Sequence, residues 1–73
     1  MSQFCFLSTT GKLSRAEVRR RDAIAAKHGA DFNYIREPTG AYKSWFAGPN
    51  RGDPFDRNLS AAVAADLQQS GTK

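Results

Sequence analysis

The chain has few of the residues that build disulfide-linked, membrane-spanning or metal-binding proteins. Only one of its 73 residues is cysteine and only one is histidine, so an intrachain disulfide is excluded and no clustered set of metal ligands is visible. No apolar run approaches the roughly 18 residues typical of a membrane-spanning helix. The first apolar stretch is short and lacks a basic leader, unlike a signal peptide. These absences predict a cytoplasmic protein with no membrane partner.

Groups suited to catalysis are also scarce. Cys5 and His28 fall on different predicted elements, so neither has an obvious base or nucleophile beside it. Asp53 and Asp56 both fall in the first turn of a predicted helix, where negative charge favours the helix dipole. We therefore expect a non-enzymatic protein without a cofactor. Cys5 is expected to be a buried or half-buried apolar residue, and His28 a structural residue near a helix C-terminus.

The length allows one small domain, which we take as residues 1–73 with a frayed tail over 68–73. A domain of this size buries only about 60% of the surface that its unfolded chain exposes, so deep clefts are not expected. The hydrophobic content is 40% and the charged content 25%, as in ordinary folded domains.

Local patterns predict five elements in the order β-α-β-β-α. The apolar run at residues 4–7 indicates a first strand over residues 2–9, either central or covered on both faces. Ser14 and Glu17 fit a capping box, which starts a helix that ends at Gly29. Asp53 and Pro54 fit the start of the second helix, whose apolar stripe is Phe55, Leu59, Ala62, Val63 and Leu67.

The middle of the chain predicts a hairpin, with strands over residues 31–37 and 41–47 and a loop over residues 48–52. Its register depends on the turn. A three-residue loop over residues 38–40 puts Tyr34 and Tyr42 on one face, whereas a two-residue loop pairs Tyr34 with Trp45. The economical packing of all five elements is an α+β fold, a three-stranded antiparallel-containing sheet with two helices packed on one face. The second sheet face is then open.

The whole net charge of the chain falls in one segment. Residues 12–27 hold six basic and two acidic residues, and their +4 equals the formal charge of the full chain. Charge confined to one element makes a directional field that attracts anionic partners. In the hairpin, aromatic residues alternate with cations. This composition is typical of surfaces that bind single-stranded nucleic acid, where rings stack on bases and cations hold the backbone.

These features predict a small nucleic-acid-binding module, for DNA or RNA. The candidate binding residues are Lys12, Arg15, Arg19, Arg20 and Lys27 from the helix, Arg36, Lys43 and Trp45 from the hairpin, and Arg51 from the following loop. The alternative is a protein-interaction module, either a regulator or inhibitor of a larger partner or a homodimer through the open sheet face. The plainer interpretation is that most of the rings are core and that the helix is an ordinary solvated one. Exposed rings and cations on a shared surface favour nucleic acid, and on opposite surfaces they favour a protein partner.

One further position suits phosphate. Residues 8–12 (STTGK) lie between the first strand and the first helix, where a phosphate-binding turn is found in other proteins. The segment is not a P-loop, because Phe6 stands at the first glycine position and Leu13 replaces the metal-binding hydroxyl. The helix N-terminus and Lys12 could still hold one phosphate of a nucleic acid.

Overall fold

The computed structural model describes residues 3–71 and contains three strands and two helices. In chain order these are β1 Gln3–Thr10, α1 Arg15–Lys27, β2 Asp31–Arg36, β3 Tyr42–Pro49 and α2 Phe55–Gly71. The predicted β-α-β-β-α order and α+β class are confirmed. α2 continues to Gly71, so the described part of the predicted tail is helical; its fraying stays a prediction, and residues 72 and 73 lie outside the described residues.

The sheet has the order β1-β3-β2, and both strand pairs are antiparallel. β1 is therefore an edge strand and not a central one, which corrects the expectation from its apolar run. Cys5 is exposed and not buried, because it pairs with Ala47 on the sheet face that carries no helix. The position of a strand within a sheet depends on partners distant in sequence, which the run itself does not encode.

The hairpin has the three-residue loop of the two alternatives. Arg36 pairs with Tyr42, and the Glu37 amide donates to the Ala41 carbonyl at 2.7 Å. β3 then runs on through Gly48 and Pro49, which the sequence assigned to a loop, because β1 pairs with both. A Cβ at Gly48 would lie 3.0 Å from Leu59 Cδ2, so glycine there lets α2 pack closely on the sheet.

The core lies between the sheet and both helices. Phe46, at the centre of β3, is completely buried. Its ring centroid lies 5.7 Å from that of Phe6 on β1 and 5.1 Å from that of Phe32 on β2. The helices cover these rings with four buried side chains, Ile24 and Ala25 from α1 and Leu59 and Val63 from α2. Both helices therefore pack on one face, as predicted, and neither helix nor any other part of residues 3–71 packs over the other face of the sheet (the open face).

The ends of α1 follow the sequence signals. The Ser14 hydroxyl accepts a hydrogen bond from the Glu17 amide at 3.1 Å, and Gly29 adopts φ 76° directly after the C-cap residue His28. The apolar residues of α1 form two weak stripes, one that includes Ile24 and one that includes Ala25. The helix buries both of these residues, so its buried side runs between the stripes.

The start of α2 differs from its prediction. The helix begins at Phe55 and is preceded by a turn at residues 53–54. Asp53 contacts Arg57, at 3.4 Å, while the Asp56 carboxylate accepts a hydrogen bond from the Arg51 amide at 3.1 Å. Phe55 was expected in the core stripe, but 41% of it is exposed, and Arg51 lies over its ring. Within residues 3–71 no helix has the length and apolar character needed to cross a bilayer.

Candidate nucleic-acid interface

The start of α1 and the turn of the hairpin lie at the same end of the sheet, which we call the hairpin end. β1 arrives there at Thr10, opposite Lys43. The connection into α1 is fastened to the hairpin by two hydrogen bonds. The Gly11 amide donates to the Tyr42 carbonyl at 3.0 Å, and the Leu13 amide donates to the Tyr34 hydroxyl at 2.8 Å. The residues that enter α1 are thereby held beside the end of β2.

Four of the predicted binding residues are exposed and gathered toward this end; we call them the cationic patch. Lys12 precedes α1, Arg15 is its first residue, Arg19 lies one turn further on the same helix face, and Arg36 ends β2 on the helix-covered side of the sheet. Among residues 3–71, none of the four takes part in an ion pair. Their charge is therefore available to a ligand.

An aromatic residue accompanies these cations. Tyr42 pairs with Arg36 across the hairpin and is half-buried. Its ring is stacked on that of Tyr34, with centroids 5.5 Å apart and planes inclined by 20°. Because the Tyr34 hydroxyl accepts a hydrogen bond from the Leu13 amide just before α1, the stacked pair is fixed in place. Tyr42 was missing from the predicted binding residues, since only the three-residue hairpin loop places it opposite Arg36.

Arg20, another predicted binding residue, is instead bound within the protein. Its Nε and Nη2 donate to the two Glu17 carboxylate oxygens at 3.0 and 2.8 Å, and its Nη1 donates to the Leu67 carbonyl of α2 at 3.1 Å. Arg21 Nε adds a third hydrogen bond to Glu17, at 2.6 Å. In the described chain the Glu17 side chain thus makes this network rather than the reciprocal half of the capping box.

This network also explains why the cationic patch keeps its charge. Glu17 is the acidic residue of the first turn of α1, and both its oxygens face Arg20 and Arg21 rather than Arg15 or Arg19. Hydrogen bonds from Arg20 and Arg21 lower the pKa of Glu17 from 4.5 to about 2, and the hydrogen bond to Glu17 raises the pKa of Arg20. The carboxylate stays ionised and paired across the physiological range.

The Glu17 network predicts a loss of stability in acid. The folded-state pKa lies below the unfolded value, so the stabilisation is complete above about pH 4.5 and is lost as the pH falls toward 2. Urea unfolding measures the free energy of unfolding at neutral pH and in acid. Acid should lower this free energy more in the native protein than in Glu17→Gln, by roughly 2 kcal/mol once solvent screening is discounted. Equal acid losses in both proteins would contradict this role.

Lys27 and Arg51 lie away from the cationic patch. Lys27 ends α1, at the opposite end of the helix from Lys12, and its Nζ is 3.1 Å from Asp66 of α2. His28 Nε2 lies 2.7 Å from the same carboxylate oxygen, and hydrogen bonds from His28 and then Lys27 lower the pKa of Asp66. His28 thus links α1 to α2, which is consistent with the structural role predicted for it. Arg51 follows β3 and lies over Phe55.

Lys43 and Trp45 lie on the open face, on the other side of the sheet from α1. Lys43 Nζ is 5.7 Å from the Trp45 ring centroid, which makes a cation–π contact. Trp45 is half-buried, and its neighbour Ile35 is 44% exposed. Lys43 and Trp45 are therefore separated from the cations of α1 by the sheet. Arg36 is the predicted hairpin residue that belongs to the cationic patch.

Comparisons with models of protein families, with curated proteins and with solved structures gave no match for this chain. Within residues 3–71 there is also no group of three or more His, Cys, Asp or Glu side chains that could hold a metal ion. The cationic patch is therefore the feature of the molecule that points to a function.

Proposed function

We propose that this domain is a non-enzymatic nucleic-acid-binding module that holds the phosphate backbone with the cationic patch. One observation carries the proposal: four exposed cations, which make no ion pair within residues 3–71, lie on chain segments at or near the end of the fold at which α1 begins. Arginine and lysine side chains are the principal phosphate-binding groups of proteins that bind nucleic acids.

The local backbone supports this choice of ligand. The N-terminus of a helix carries a partial positive charge of about half a unit, and α1 begins with Arg15, directly after Ser14 and close to Lys12. Arg15 and Arg19 are four residues apart and exposed, so they lie above one another on the same face of α1. Two guanidinium groups in such a row can contact phosphates of a single backbone.

The same arrangement argues for binding without sequence preference. The patch residues are long cations at the surface, which suit phosphate oxygens. The half-buried ring of Tyr42 is already stacked on Tyr34. Phosphate contacts fix a protein on a nucleic acid but carry no base information. We therefore expect DNA and RNA of different sequences to bind with similar affinities.

The proposal predicts strongly salt-dependent binding. Fluorescence anisotropy with short labelled DNA and RNA, over about 50 to 200 mM salt, should give a log–log slope of about −3 to −4 if all four patch cations contact phosphates of a duplex. Scrambled sequences should bind within a few-fold of one another. The proposal is wrong if no binding is detected at the lowest salt, or if the measured affinity is independent of salt.

A protein partner or a second copy on the open face is the alternative. Ile35 and the half-buried Trp45 favour it, but Asp31 and Lys43 are exposed on the same face and limit its apolar area. Stable protein interfaces bury about 800 Å² on each partner. Light scattering of the free protein, together with the anisotropy experiment, separates the two functions: a dimer that does not bind nucleic acid supports the alternative.

A further inference from the structure

A groove of about 380 Å³ lies where β1 approaches the hairpin end, and the cationic patch does not include it. It is lined by Ser8, Thr9, Thr10 and Lys43. We call it the hydroxyl groove, because three successive hydroxyl-bearing residues and one lysine line it. Hydroxyls and ammonium groups donate hydrogen bonds, and no acidic residue is among the described residues that line the groove. This set of donors suits an oxyanion.

An irregularity in β1 explains why three successive residues line one groove. Side chains alternate between faces along a regular strand. Here Phe6 pairs with Phe46 and Thr9 with Ser44, so two residues of β1 stand against Trp45 alone and the register shifts. Leu7, within this bulge, has φ 53°, a left-handed conformation that is strained for a non-glycine residue. Such strain is typically concentrated at functional sites.

The hydroxyls differ in their availability. Thr9 Oγ1 is hydrogen-bonded to the buried Ser44 Oγ at 3.0 Å, so this hydroxyl already has a partner within the protein. The hydroxyls of Ser8 and Thr10 are exposed and make no hydrogen bond with any other described residue. Two donors are thus free for a ligand beside one that is held in place.

Lys43 supplies the charge. Its Nζ lies over the Trp45 ring and is 3.8 Å from the Glu37 carboxylate, with 45% of the Lys43 side chain and 40% of the Glu37 side chain exposed. An exposed pair with this separation contributes little stability. The ammonium is therefore positioned at the groove without being committed to Glu37.

We infer that the hydroxyl groove binds a phosphate group, through the Ser8 and Thr10 hydroxyls and the Lys43 ammonium. The phosphate belongs either to the backbone of a nucleic acid or to a small phosphorylated molecule, since both present the same oxyanion. The site does not depend on the cationic patch, because the two share no residue. A strand that occupied both would pass around the hairpin end from the helical side to the open face.

Amide NMR titrations of the whole chain test the site with three probes: inorganic phosphate, a nucleoside monophosphate and a short oligonucleotide. Saturable shifts centred on Ser8, Thr10 and Lys43 support the inference. If inorganic phosphate or the monophosphate saturates them, the ligand is a small oxyanion. If only the oligonucleotide does, it is a backbone phosphate. No saturable shift at these residues with any of the three probes overturns the inference.

Variants separate specific binding from general attraction. Lys43→Met should lower the affinity of the groove for the phosphate probe about tenfold. Thr10→Val, which keeps the side-chain shape, should lower it several-fold. Glu37→Gln should raise it about threefold, because the competing carboxylate is removed. Arg57→Gln, which removes a charge outside the groove, should leave these shifts unchanged. Unaltered affinity in both Thr10→Val and Lys43→Met overturns the inference. A double variant of Arg15 and Arg36 keeps the groove shifts with inorganic phosphate, so failure of the patch and failure of the groove are distinguishable.

Discussion

Replacing Arg15 and Arg36 together with glutamine is expected to lower the affinity for nucleic acid by roughly 10- to 100-fold at low salt. These two exposed cations stand on different elements, at the start of α1 and the end of β2, yet belong to the same patch. Each substitution removes one charge-assisted contact to a phosphate and keeps the length of the side chain approximately. The log–log salt slope for duplex DNA should become shallower by about 1.8, because each lost contact reduces it by about 0.9.

The control for this variant is Arg57→Gln, which removes the same charge from the first turn of α2. Arg57 is exposed and its partner is Asp53, so its loss should leave the salt slope unchanged. Anisotropy with one labelled duplex compares all the proteins, and circular dichroism verifies that each remains folded. The single variants Arg15→Gln and Arg36→Gln are measured as well. If Arg57→Gln lowered affinity as much as either of them, net charge would explain binding and the patch would not.

The sequence was sufficient wherever a local signal decided the structure. Ser14 and Gly29 mark the ends of α1 because capping uses backbone groups within one turn of the residue. The hairpin was recognisable from its aromatic strands and its Pro-Thr-Gly turn, although only the structure showed the three-residue loop. The order of the five elements follows from such signals alone.

Contacts between residues distant in sequence could not be predicted in the same way. The apolar run around Cys5 resembles a central strand, and only the pairing order β1-β3-β2 makes Cys5 an exposed residue of an edge strand. The half-buried side of α1 includes Arg20 and Arg21, because Glu17 satisfies both guanidinium groups. A helix whose charges are paired in this way shows little amphipathic periodicity.

Contacts between distant residues also decide which of the predicted binding residues belong to the cationic patch. Lys27 looked available for phosphate binding because its partner, the Asp66 carboxylate, lies on α2, distant in sequence. The contact of Arg20 with the Leu67 carbonyl is also distant, whereas its i,i+3 pair with Glu17 is a local spacing that the sequence does contain. Arg36 looked no different from Lys43, yet the hairpin register puts them on opposite faces of the sheet. Sequence reasoning identified the charge, and topology decided which part of it remains unpaired.

Phe46→Ala should prevent the domain from folding stably. Phe46 is fully buried, and its ring joins those of Phe6 and Phe32 beneath both helices. Truncation of a buried phenylalanine costs about 3 to 5 kcal/mol, which is comparable with the whole stability expected for a domain of this size, on the order of 4 to 10 kcal/mol. Far-ultraviolet circular dichroism should show a protein that is largely unfolded at 37 °C or melts far below the native protein.

A matched pair of leucine substitutions keeps this prediction quantitative if the alanine variant cannot be purified. Phe46→Leu should cost about 1 to 2 kcal/mol and lower the melting temperature by about 4 to 8 °C for each kcal/mol. Phe55→Leu makes the same chemical change in α2 at a ring that is 41% exposed, so its melting temperature should hardly move. Equal losses at the two positions would show that Phe46 is not the centre of the core. Because the cationic patch is positioned by strands and a helix that meet over this ring, Phe46→Leu should also retain nucleic-acid binding at temperatures where it is folded.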